Sequence, residues 1–466
     1  MLKRYLIILL SVSVLFSCGR FEIINAVQGQ EEEEGEEEPK KDDPDDVDWA
    51  AAIGYVFDAS VIPEIHVSVT QEQWDNLLSF FDKDWNTQEF IHCDVEYRKG
   101  KDITKIKDAG LRLKGNTSRR RPYDGGRYHH AHFGLDFNKY HKDAAHSVKG
   151  LRRMDLKWFK DDAAYVREIY CYDLFRRFGV WTAINDVYAR LWLKVGDDKE
   201  VYYGVYGMLE HVGKNYLRTR LKQFGSKDGD IWKCFWGASL ADENASFGLD
   251  DNHSSFTYEL KTGTAESFPA SKARLKEFIR NVKTLEGTAF DNYISTHMDV
   301  DLLLRTYAVN VAVGMWDDYW NNTNNYYLYV GPGEDYKVWL IPYDYDNTLG
   351  TSLNCGAQSD SGRQDPWKWG RDDVPLMVKI LKNTQWRATY KEYLHELCSG
   401  DFSYSSSTAR IKDWQGTISS FVSNDTGEDM EIQDRPAYWG NHGEYRIMED
   451  GKNNFFRVKA EAVNKM

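Results

Sequence analysis

The sequence predicts an α+β fold, in which a β-rich N-terminal half precedes a mainly helical C-terminal half. Segments that alternate apolar and polar residues recur up to residue 210, and this period of two is typical of half-buried strands. From Val212 onward apolar residues recur with the period of amphipathic helices, interrupted by one hairpin. Hydrophobic residues make up 42% of the 466-residue chain, which is enough to bury a large core.

Seven strands and two helices are predicted in the N-terminal half. The first helix runs from Gln71 to Phe80, with Thr70 as its N-cap and Gln73 at the capping-box position. The second helix runs over 162–178 and ends at Gly179. A long polar loop, rich in glycine and arginine, occupies residues 115–132. The predicted strands are residues 64–69, 93–97, 110–114, 133–137, 151–156, 189–195 and 202–210.

Five helices and a hairpin are predicted in the C-terminal half. The hairpin joins strands 325–330 and 337–341 through a turn that contains Gly331, Pro332 and Gly333. The predicted helices are residues 212–224, 270–285, 300–313, 375–397 and 406–422.

The N-terminus has the features of a secretory signal. Lys3 and Arg4 precede a short apolar run that ends in Ser17, directly before Cys18. A small residue followed by cysteine resembles a bacterial lipobox, so we assign residues 1–17 to a lipoprotein signal peptide and Cys18 to lipidation. An ordinary signal peptide is the alternative. We therefore expect a protein anchored by lipid to the membrane of a bacterial envelope.

An acidic, disordered tether is predicted over residues 18–48, ahead of a single domain over 49–460. Residues 31–48 contain 12 acidic and 2 basic residues, so this short stretch carries −10 of the formal net charge of −14. The acidity therefore belongs to the tether and not to the domain. Because the domain has no surplus of basic residues, we expect no nucleic-acid partner.

Two carboxylates follow the second strand of the C-terminal hairpin, in WLIPYDYDNTLG at residues 339–350. Asp344 and Asp346 lie two positions apart, so in an extended segment they point to the same side. Paired carboxylates suit a hard cation such as Mg²⁺, or Mn²⁺, bound together with phosphate oxygens. A strand-to-turn transition, in which aspartate only caps the turn, is the structural alternative.

A second polar segment, WDDYWNNTNNYYLY at residues 316–329, precedes the first strand of the same hairpin. Phosphoryl transfer requires one carboxylate to accept the proton of the attacking hydroxyl, and an amide and a carboxylate to hold the metal. Asp318 or Asp317 fits the first role, while Asn325 and Asp344 fit the second. An asparagine-rich turn held by side-chain hydrogen bonds is the alternative.

The N-terminal half supplies the positive charge that such a site needs. The loop that begins GNTSRRR contains Arg119 and opens with glycine, so it is a candidate cover for phosphates. Lys149, Arg152, Arg153 and Lys157 surround the next strand, and Glu168 lies on the helix that follows. A strand lysine paired with a helix glutamate is how protein kinases hold a phosphate-binding lysine. We assign Lys149, Arg153 and Glu168 to nucleotide binding, although spacing alone does not choose among the lysines.

Several segments, in order, resemble the CotH kinase family of spore-coat CotH-like proteins. The resemblance runs from about residue 60 to about 440, and its most specific motifs are NNYYLY and IPYDYDNTLG. The other segments are GLRLKGNTSR, FGLDFNKY, VREIYCYDLFRRFGV, VYYGVYGMLEHV with Glu210, IWKC with Lys233, and YELK with Lys261.

The resemblance implies a two-lobed, atypical protein-kinase-like fold, with an N-lobe over about 55–205 and a C-lobe over about 206–460. It also implies ATP- and Mg²⁺-dependent phosphorylation of serine or threonine in an acceptor protein that the sequence does not identify. By this analogy Asp318 is the catalytic aspartate with Asp317 as the alternative, and Asp344 and Asn325 are metal ligands. Glu210 and Lys233 are assigned to the nucleotide.

Two other functions remain open. A pseudokinase-like scaffold is favoured by His129, His130 and His132, which occupy the region where the family resemblance predicts a lysine. A phosphatase with a DxDxT nucleophile is also compatible with residues 344–348. Pro342 speaks against the phosphatase because its strand would be central in a parallel sheet, where proline removes a hydrogen bond.

Overall fold

The computed structural model describes residues 47–249, 255–351, 360–435 and 445–466. The signal segment 1–17, Cys18 and nearly all of the tether 18–48 lie outside the described residues. Within the described part the fold is mixed α+β, as predicted, with strands dominating before residue 211 and helices dominating after it. In this part of the chain no helix is both long and apolar enough to cross a membrane.

A closed barrel is formed by seven strands of the N-terminal half. The strands follow the order β1-β2-β3-β6-β7-β9-β8, and β8 closes the barrel by pairing in parallel with β1. Two further short strands, β4 and β5, form a separate hairpin. In chain order the strands are β1 (Glu64–Val69), β2 (Ile91–Lys99), β3 (Asp102–Lys114), β4 (Tyr123–Asp124), β5 (Arg127–Tyr128), β6 (His132–Asp136), β7 (Arg153–Lys157), β8 (Asp186–Val195) and β9 (Val201–Glu210).

The period of two in the sequence corresponds to the inside and outside of the barrel. In β2 every second residue from Ile91 to Lys99 is buried, and the residues between them are exposed or half-buried. The buried side chains of all seven barrel strands form one apolar cluster. Two helices, α1 (Trp49–Val56) and α2 (Gln71–Lys83), add side chains to that cluster. The predicted cap of α2 is confirmed, because the Thr70 hydroxyl accepts a hydrogen bond from the backbone N–H of Gln73 at 3.2 Å.

A second sheet of five strands follows in the C-terminal half, ordered β11-β12-β10-β13-β14. The predicted hairpin is present as β13 and β14, but β10, β11 and β12 were not predicted. Two of these strands, β11 and β12, have only three residues each, too few for a period of two to be visible, and β10 is buried at four of its five positions and so does not alternate. Since β14 is an edge strand antiparallel to β13, this sheet does not provide the parallel central strand that the phosphatase alternative requires. The strands are β10 (Asp230–Cys234), β11 (Phe247–Leu249), β12 (Tyr258–Leu260), β13 (Tyr326–Val330) and β14 (Val338–Pro342).

Helices surround the second sheet, and the most buried of them is α8, with eleven buried residues of fourteen. Two predicted helices are each divided in two: 212–224 into α4 and α5, and 375–397 into α9 and α10. Asn383 begins α10 by accepting hydrogen bonds from the backbone N–H groups of Gln385 and Trp386. The helices are α3 (Arg167–Arg177), α4 (Lys214–Thr219), α5 (Leu221–Phe224), α6 (Phe268–Thr284), α7 (Gly287–His297), α8 (Val300–Val313), α9 (Pro375–Ile380), α10 (Thr384–Ser399), α11 (Tyr404–Ile418) and α12 (Phe455–Val463).

The predicted helix 162–178 begins later than expected, at Arg167. Asp162 accepts hydrogen bonds from the backbone N–H groups of Val166 and Arg167, each at 2.8 Å, and so ends the turn that leads into α3. This turn connects the end of β7 in the barrel to α3. It thereby brings the start of α3 to the residues that follow β14 in the second sheet.

Candidate active site

Lys157, the last residue of β7, lies among three carboxylates from two distant parts of the chain. Its Nζ lies 2.8 Å from Glu168 Oε2 and 3.2 Å from Asp346 Oδ2, and it also contacts Asp344 Oδ1. Burial lowers the pKa of Lys157, but the three carboxylates outweigh burial and hold it well above its usual range. Lys157 is therefore an ammonium. We call these four residues the Lys157 cluster.

Glu168, in the first turn of α3, connects the cluster to the backbone after β14. Its Oε1 accepts a hydrogen bond from the backbone N–H of Tyr345 at 3.2 Å. Farther along α3, the Tyr172 hydroxyl accepts one from the backbone N–H of Asp344 at 3.0 Å. Asp344 has a φ of +64°, in the left-handed region that residues other than glycine rarely adopt. These two hydrogen bonds help to hold Asp344, whose carboxylate belongs to the Lys157 cluster, in this unfavourable backbone conformation.

Asp344 and Asp346 carry more negative charge than Lys157 neutralises. Asp346 Oδ1 is buried and has no hydrogen-bond partner among the described residues, which costs about 1–3 kcal/mol for a polar atom. Burial, together with the charge of Asp344, raises the pKa of Asp346 to about 6 against the effect of Lys157. Carboxylate oxygens are the ligands that Mg²⁺ and Mn²⁺ prefer. The residues therefore fit a divalent cation, which Asp344 and Asp346 would hold.

The asparagine-rich turn before β13 is built around Asp317. Its carboxylate accepts hydrogen bonds from the side-chain amides of Asn322, Asn324 and Asn325, the last two at 3.2 and 2.8 Å. Burial raises the pKa of Asp317 to about 7, with a contribution from the aspartate pair after β14. The segment is thus a turn held by asparagine side chains, and the carboxylate at its centre lies near Asp344 and Asp346.

Asn325 directs its amide nitrogen towards Asp317. Its backbone φ is +54°, in the left-handed region that asparagine tolerates better than most residues. Since the nitrogen is bound to Asp317, the amide oxygen is the atom that Asn325 can offer to a cation.

Asp318 lies deeper than Asp317, with 3% of its surface exposed. Its carboxylate accepts hydrogen bonds from the Asn310 side-chain amide and, at 2.7 Å, from the backbone N–H of Asn321. Asn310 in turn accepts one from the Tyr345 hydroxyl at 2.9 Å. These contacts make Asp318 a buried support of the turn. The geometry therefore favours Asp317, the second choice from the sequence, as the carboxylate that lies near Asp344 and Asp346.

Two more lysines, both half-buried, border the Lys157 cluster. Lys114, the last residue of β3, forms an ion pair with Asp155 on β7, and Asp344 contributes to its electrostatic environment. Lys233, on β10, lies over the ring of Tyr343 with its Nζ 5.5 Å from the centroid. Burial lowers the pKa of Lys233 to about 7, and the neighbouring lysines add to this effect. Lys233, predicted to bind nucleotide, is therefore close to Asp344.

Four other residues predicted to bind nucleotide have their described contacts with other parts of the fold and not with the Lys157 cluster. Arg119 donates to the backbone carbonyls of Gly115 and Thr87. Arg153 pairs with Asp136 at 2.7 Å. Lys149 lies over the ring of Tyr55, with its Nζ 5.0 Å from the centroid. Glu210 accepts two hydrogen bonds from Arg220, of 2.7 and 2.8 Å.

The sequence left open which lysine pairs with Glu168, and the structure shows that it is Lys157. Lys149 lies in the tight turn before β7 with a φ of +52°, eight residues before the strand ends, and its ammonium contacts the ring of Tyr55. Lys157 is on the same side of β7 as Asp155 because the two residues are two positions apart. The position of Lys157 at the strand end, directly before the turn into α3, was the signal that could have identified it.

Arg120 and His129, in the arginine loop and just after it, contact Glu428, and His132 contacts the backbone after β7. Arg120 forms two hydrogen bonds of 3.1 Å with the Glu428 carboxylate, which also contacts His129 Nδ1 at 2.9 Å. His132 Nδ1 accepts a hydrogen bond from the backbone N–H of Trp158 at 3.0 Å. Burial lowers the pKa of His132 to about 3, so this ring is neutral. The arginines expected to cover phosphates are thus held by acidic and backbone partners.

Comparison with known proteins gives one family and several relatives. Residues 111–450, well over half of the chain, match the model of a family described as CotH kinase protein. The chain is 26% identical to "Inner spore coat protein H" of Bacillus subtilis over 62% of this chain and 73% of that protein. It is 24% identical to "Invasin CotH2" of Rhizopus delemar over 59% of this chain and 45% of that protein. The match thus spans less than half the length of the fungal relative.

Proposed function

The chain belongs to the CotH family, and on that basis we propose that it is an atypical protein kinase. It would transfer the terminal phosphoryl group of ATP to a serine or threonine hydroxyl of an acceptor protein, with Mg²⁺ or Mn²⁺ bound. One observation carries the proposal: a strand lysine, Lys157, is paired with a helix glutamate, Glu168, and both face an aspartate pair that fits a divalent cation.

The Lys157–Glu168 pair supports phosphate binding as the equivalent pair does in protein kinases. There the strand lysine contacts the α- and β-phosphates and a helix glutamate orients it. Here Glu168 also bonds to the backbone that carries Asp344, so one helix orients both the ammonium and the carboxylate. A cation held by Asp344, Asp346 and Asn325 would neutralise phosphate charge.

Asp317 is the residue we propose as the proton acceptor for the attacking hydroxyl. Burial raises the pKa of Asp317, like that of Asp318, to about 7, near the value at which a general base works efficiently at neutral pH, so the contacts of the two carboxylates and not their pKa values distinguish them. The three amide contacts of Asp317 fix the orientation of its carboxylate. In this account the barrel is the N-lobe of a two-lobed kinase-like fold, and the second sheet with its helices is the C-lobe.

We further propose that the protein acts at a cell surface. The relatives named as a spore coat protein and as invasins support a location outside the cytoplasm. Lipidation at Cys18 and the acidic tether 18–48 would hold the kinase domain off the membrane of a bacterial envelope.

A pseudokinase-like scaffold is the second candidate, favoured by the arginine loop. Arg120 and Arg121 are both paired with carboxylates, and Arg119 with backbone carbonyls, so each arginine already has a partner within the fold. A scaffold would retain the Lys157 cluster as a structural ion cluster and would transfer no phosphate.

Phosphoryl transfer from γ-labelled ATP distinguishes the two candidates. We expect the purified full chain to label itself, or a serine-rich acidic protein, when Mg²⁺ or Mn²⁺ is present and not when EDTA replaces the metal. Asp344→Asn should lower the rate by about 100-fold or more, since it weakens the cation site that stabilises the transferred group. Asp161→Asn, on a carboxylate paired with Lys160 outside the cluster, is the matched control and should leave the rate unchanged. Labelling that persists in EDTA or in Asp344→Asn would contradict the kinase assignment.

A further inference from the structure

A group of histidines and aspartates lies on the outside of the barrel, in the loop after β6 and on the neighbouring strands. The side chains of His141, Asp143 and His146 offer one ligand atom each, and these atoms all lie within 4.8 Å of one another. Asp108, on β3, and His92, on β2, adjoin them. None of the described contacts of these five residues involves the Lys157 cluster.

The hydrogen bonds of the group indicate which atoms could reach a metal. His141 contacts Asp108 Oδ2 through Nε2 at 2.6 Å, so Nδ1 is the nitrogen it can present. A histidine whose second nitrogen bonds to a carboxylate is the usual arrangement around a bound transition metal. His146 Nδ1 and Asp143 Oδ1 lie 2.7 Å apart, so a metal bound by both residues would take the place of this hydrogen bond.

The loop that carries the group has a defined conformation. Asp143 Oδ1 also accepts a hydrogen bond from the backbone N–H of His146 at 3.2 Å. The rings of His141 and His146 stack with centroids 4.4 Å apart. On the strand side, Asp108 is held by a hydrogen bond of 3.0 Å from its backbone N–H to Asp94.

We propose that His141, Asp143 and His146 bind a divalent transition metal of the Zn²⁺ class, with Asp108 orienting His141. Nitrogen and carboxylate ligands in this mixture suit Zn²⁺, Cu²⁺ or Ni²⁺ better than Mg²⁺ or Ca²⁺, which prefer oxygen alone. Zn²⁺ bonds to such ligands are about 2.1 Å long, so rotation of three partly exposed side chains would close the site. The ion would fasten the loop after β6 to β3. This site is independent of the proposed phosphoryl transfer.

Calorimetric titration of Zn²⁺ into the full chain, prepared without a histidine tag, tests the site. We expect one site that is lost, or weakened by at least about 10-fold, in the double variant His141→Ala/His146→Ala. Asp108→Asn should weaken it by about 10- to 100-fold, the usual effect of losing an orienting carboxylate. Co²⁺ added in place of Zn²⁺ should give visible absorption bands that the double variant lacks.

Two controls separate this site from other sources of binding. His66→Ala removes a histidine that also lies beside two carboxylates, Glu64 and Glu200, but has no second histidine, and should leave Zn²⁺ affinity unchanged. Asp344→Asn should abolish any Zn²⁺ bound at the candidate active site and spare the histidine site. Metal-free thermal unfolding of the double variant should match that of the parent chain. Equal Zn²⁺ affinity in the double variant and the parent chain, or no Zn²⁺ binding at all, would overturn the proposal.

Discussion

Replacing Lys157 by methionine is expected to reduce phosphoryl transfer by about 100-fold or more and also to destabilise the fold. The methionine keeps the length of the aliphatic stem but removes the ammonium shared by Glu168, which is buried, and by Asp344 and Asp346, which are partly exposed. Removing one partner of a fully buried ion pair costs about 3–5 kcal/mol, and the partial exposure of the two aspartates lowers that cost here. Losing the preorganised ammonium beside the phosphates should lower turnover by about 100-fold or more.

Mg²⁺ provides a way to separate these two effects of Lys157→Met. A divalent cation can replace the missing positive charge beside Asp344 and Asp346, so Mg²⁺ should raise the unfolding free energy of the variant more than that of the parent chain. Turnover should remain low, because the phosphate-binding ammonium is still absent. Lys107→Met, which removes an exposed lysine paired with Asp94 on the barrel, is the matched control and should change neither quantity by much. A Lys157→Met variant with normal turnover would exclude this lysine from phosphate binding.

The two adjacent aspartates of the turn before β13 should differ in how much rate they lose when replaced by asparagine. Asp317→Asn should lower the single-turnover rate by about 100- to 10,000-fold, the range for losing a general base, while ATP affinity changes little. Both variants should lower the unfolding free energy by about 1–3 kcal/mol, because each loses an amide hydrogen bond to the carboxylate, but Asp318→Asn should keep most of the rate. Its new amide would face the amide of Asn310 and one buried hydrogen bond would be lost.

The measurements are the single-turnover rate, the affinity for ATP and chemical denaturation, each on both variants. Asn321→Ala is a useful reference for Asp318, because it leaves the backbone N–H that Asp318 accepts from and removes only the side chain. A large loss of rate in Asp318→Asn without loss of stability would restore the ranking that the sequence suggested.

Local chemistry in the sequence predicted many elements correctly. The cap at Thr70 begins α2, and the hairpin that leads to Asp344 and Asp346 exists as β13 and β14. The expectation that Glu168 pairs with a lysine is also confirmed. These features depend on residues close together in the chain, or on a charge pattern with few partners to choose from.

Features that depend on long-range pairing were not predictable. The barrel is closed by a parallel pairing of β1 with β8, whose residues are more than one hundred positions apart, as in Glu64 opposite Arg190. The alternation of apolar and polar residues in each strand does not indicate which other strand it pairs with. The same limit explains why the sequence did not identify the lysine that pairs with Glu168, because only the tertiary fold decides which of the lysines near β7 reaches it.

The order of Asp317 and Asp318 illustrates a different limit. Adjacent residues in a turn point in different directions, and the backbone of this turn, with Thr323 and Asn325 in the left-handed region, is set by contacts that the sequence pattern does not reveal. The Asp318 side chain bonds to Asn310 on α8, whereas the Asp317 carboxylate lies near Asp344 and Asp346.

The central claim is that the Lys157 cluster is a site for a metal-bound nucleotide, and calorimetric titration of ATP into the full chain tests it most directly. The titration is made with Mg²⁺ and with EDTA, for the parent chain and for Asp344→Asn. We predict that Mg²⁺ strengthens ATP binding to the parent chain by at least about 10-fold, equivalent to about 1.4 kcal/mol, and that Asp344→Asn removes this difference. ATP affinity that is the same with Mg²⁺ and with EDTA, or no binding to the parent chain in either condition, would contradict the account.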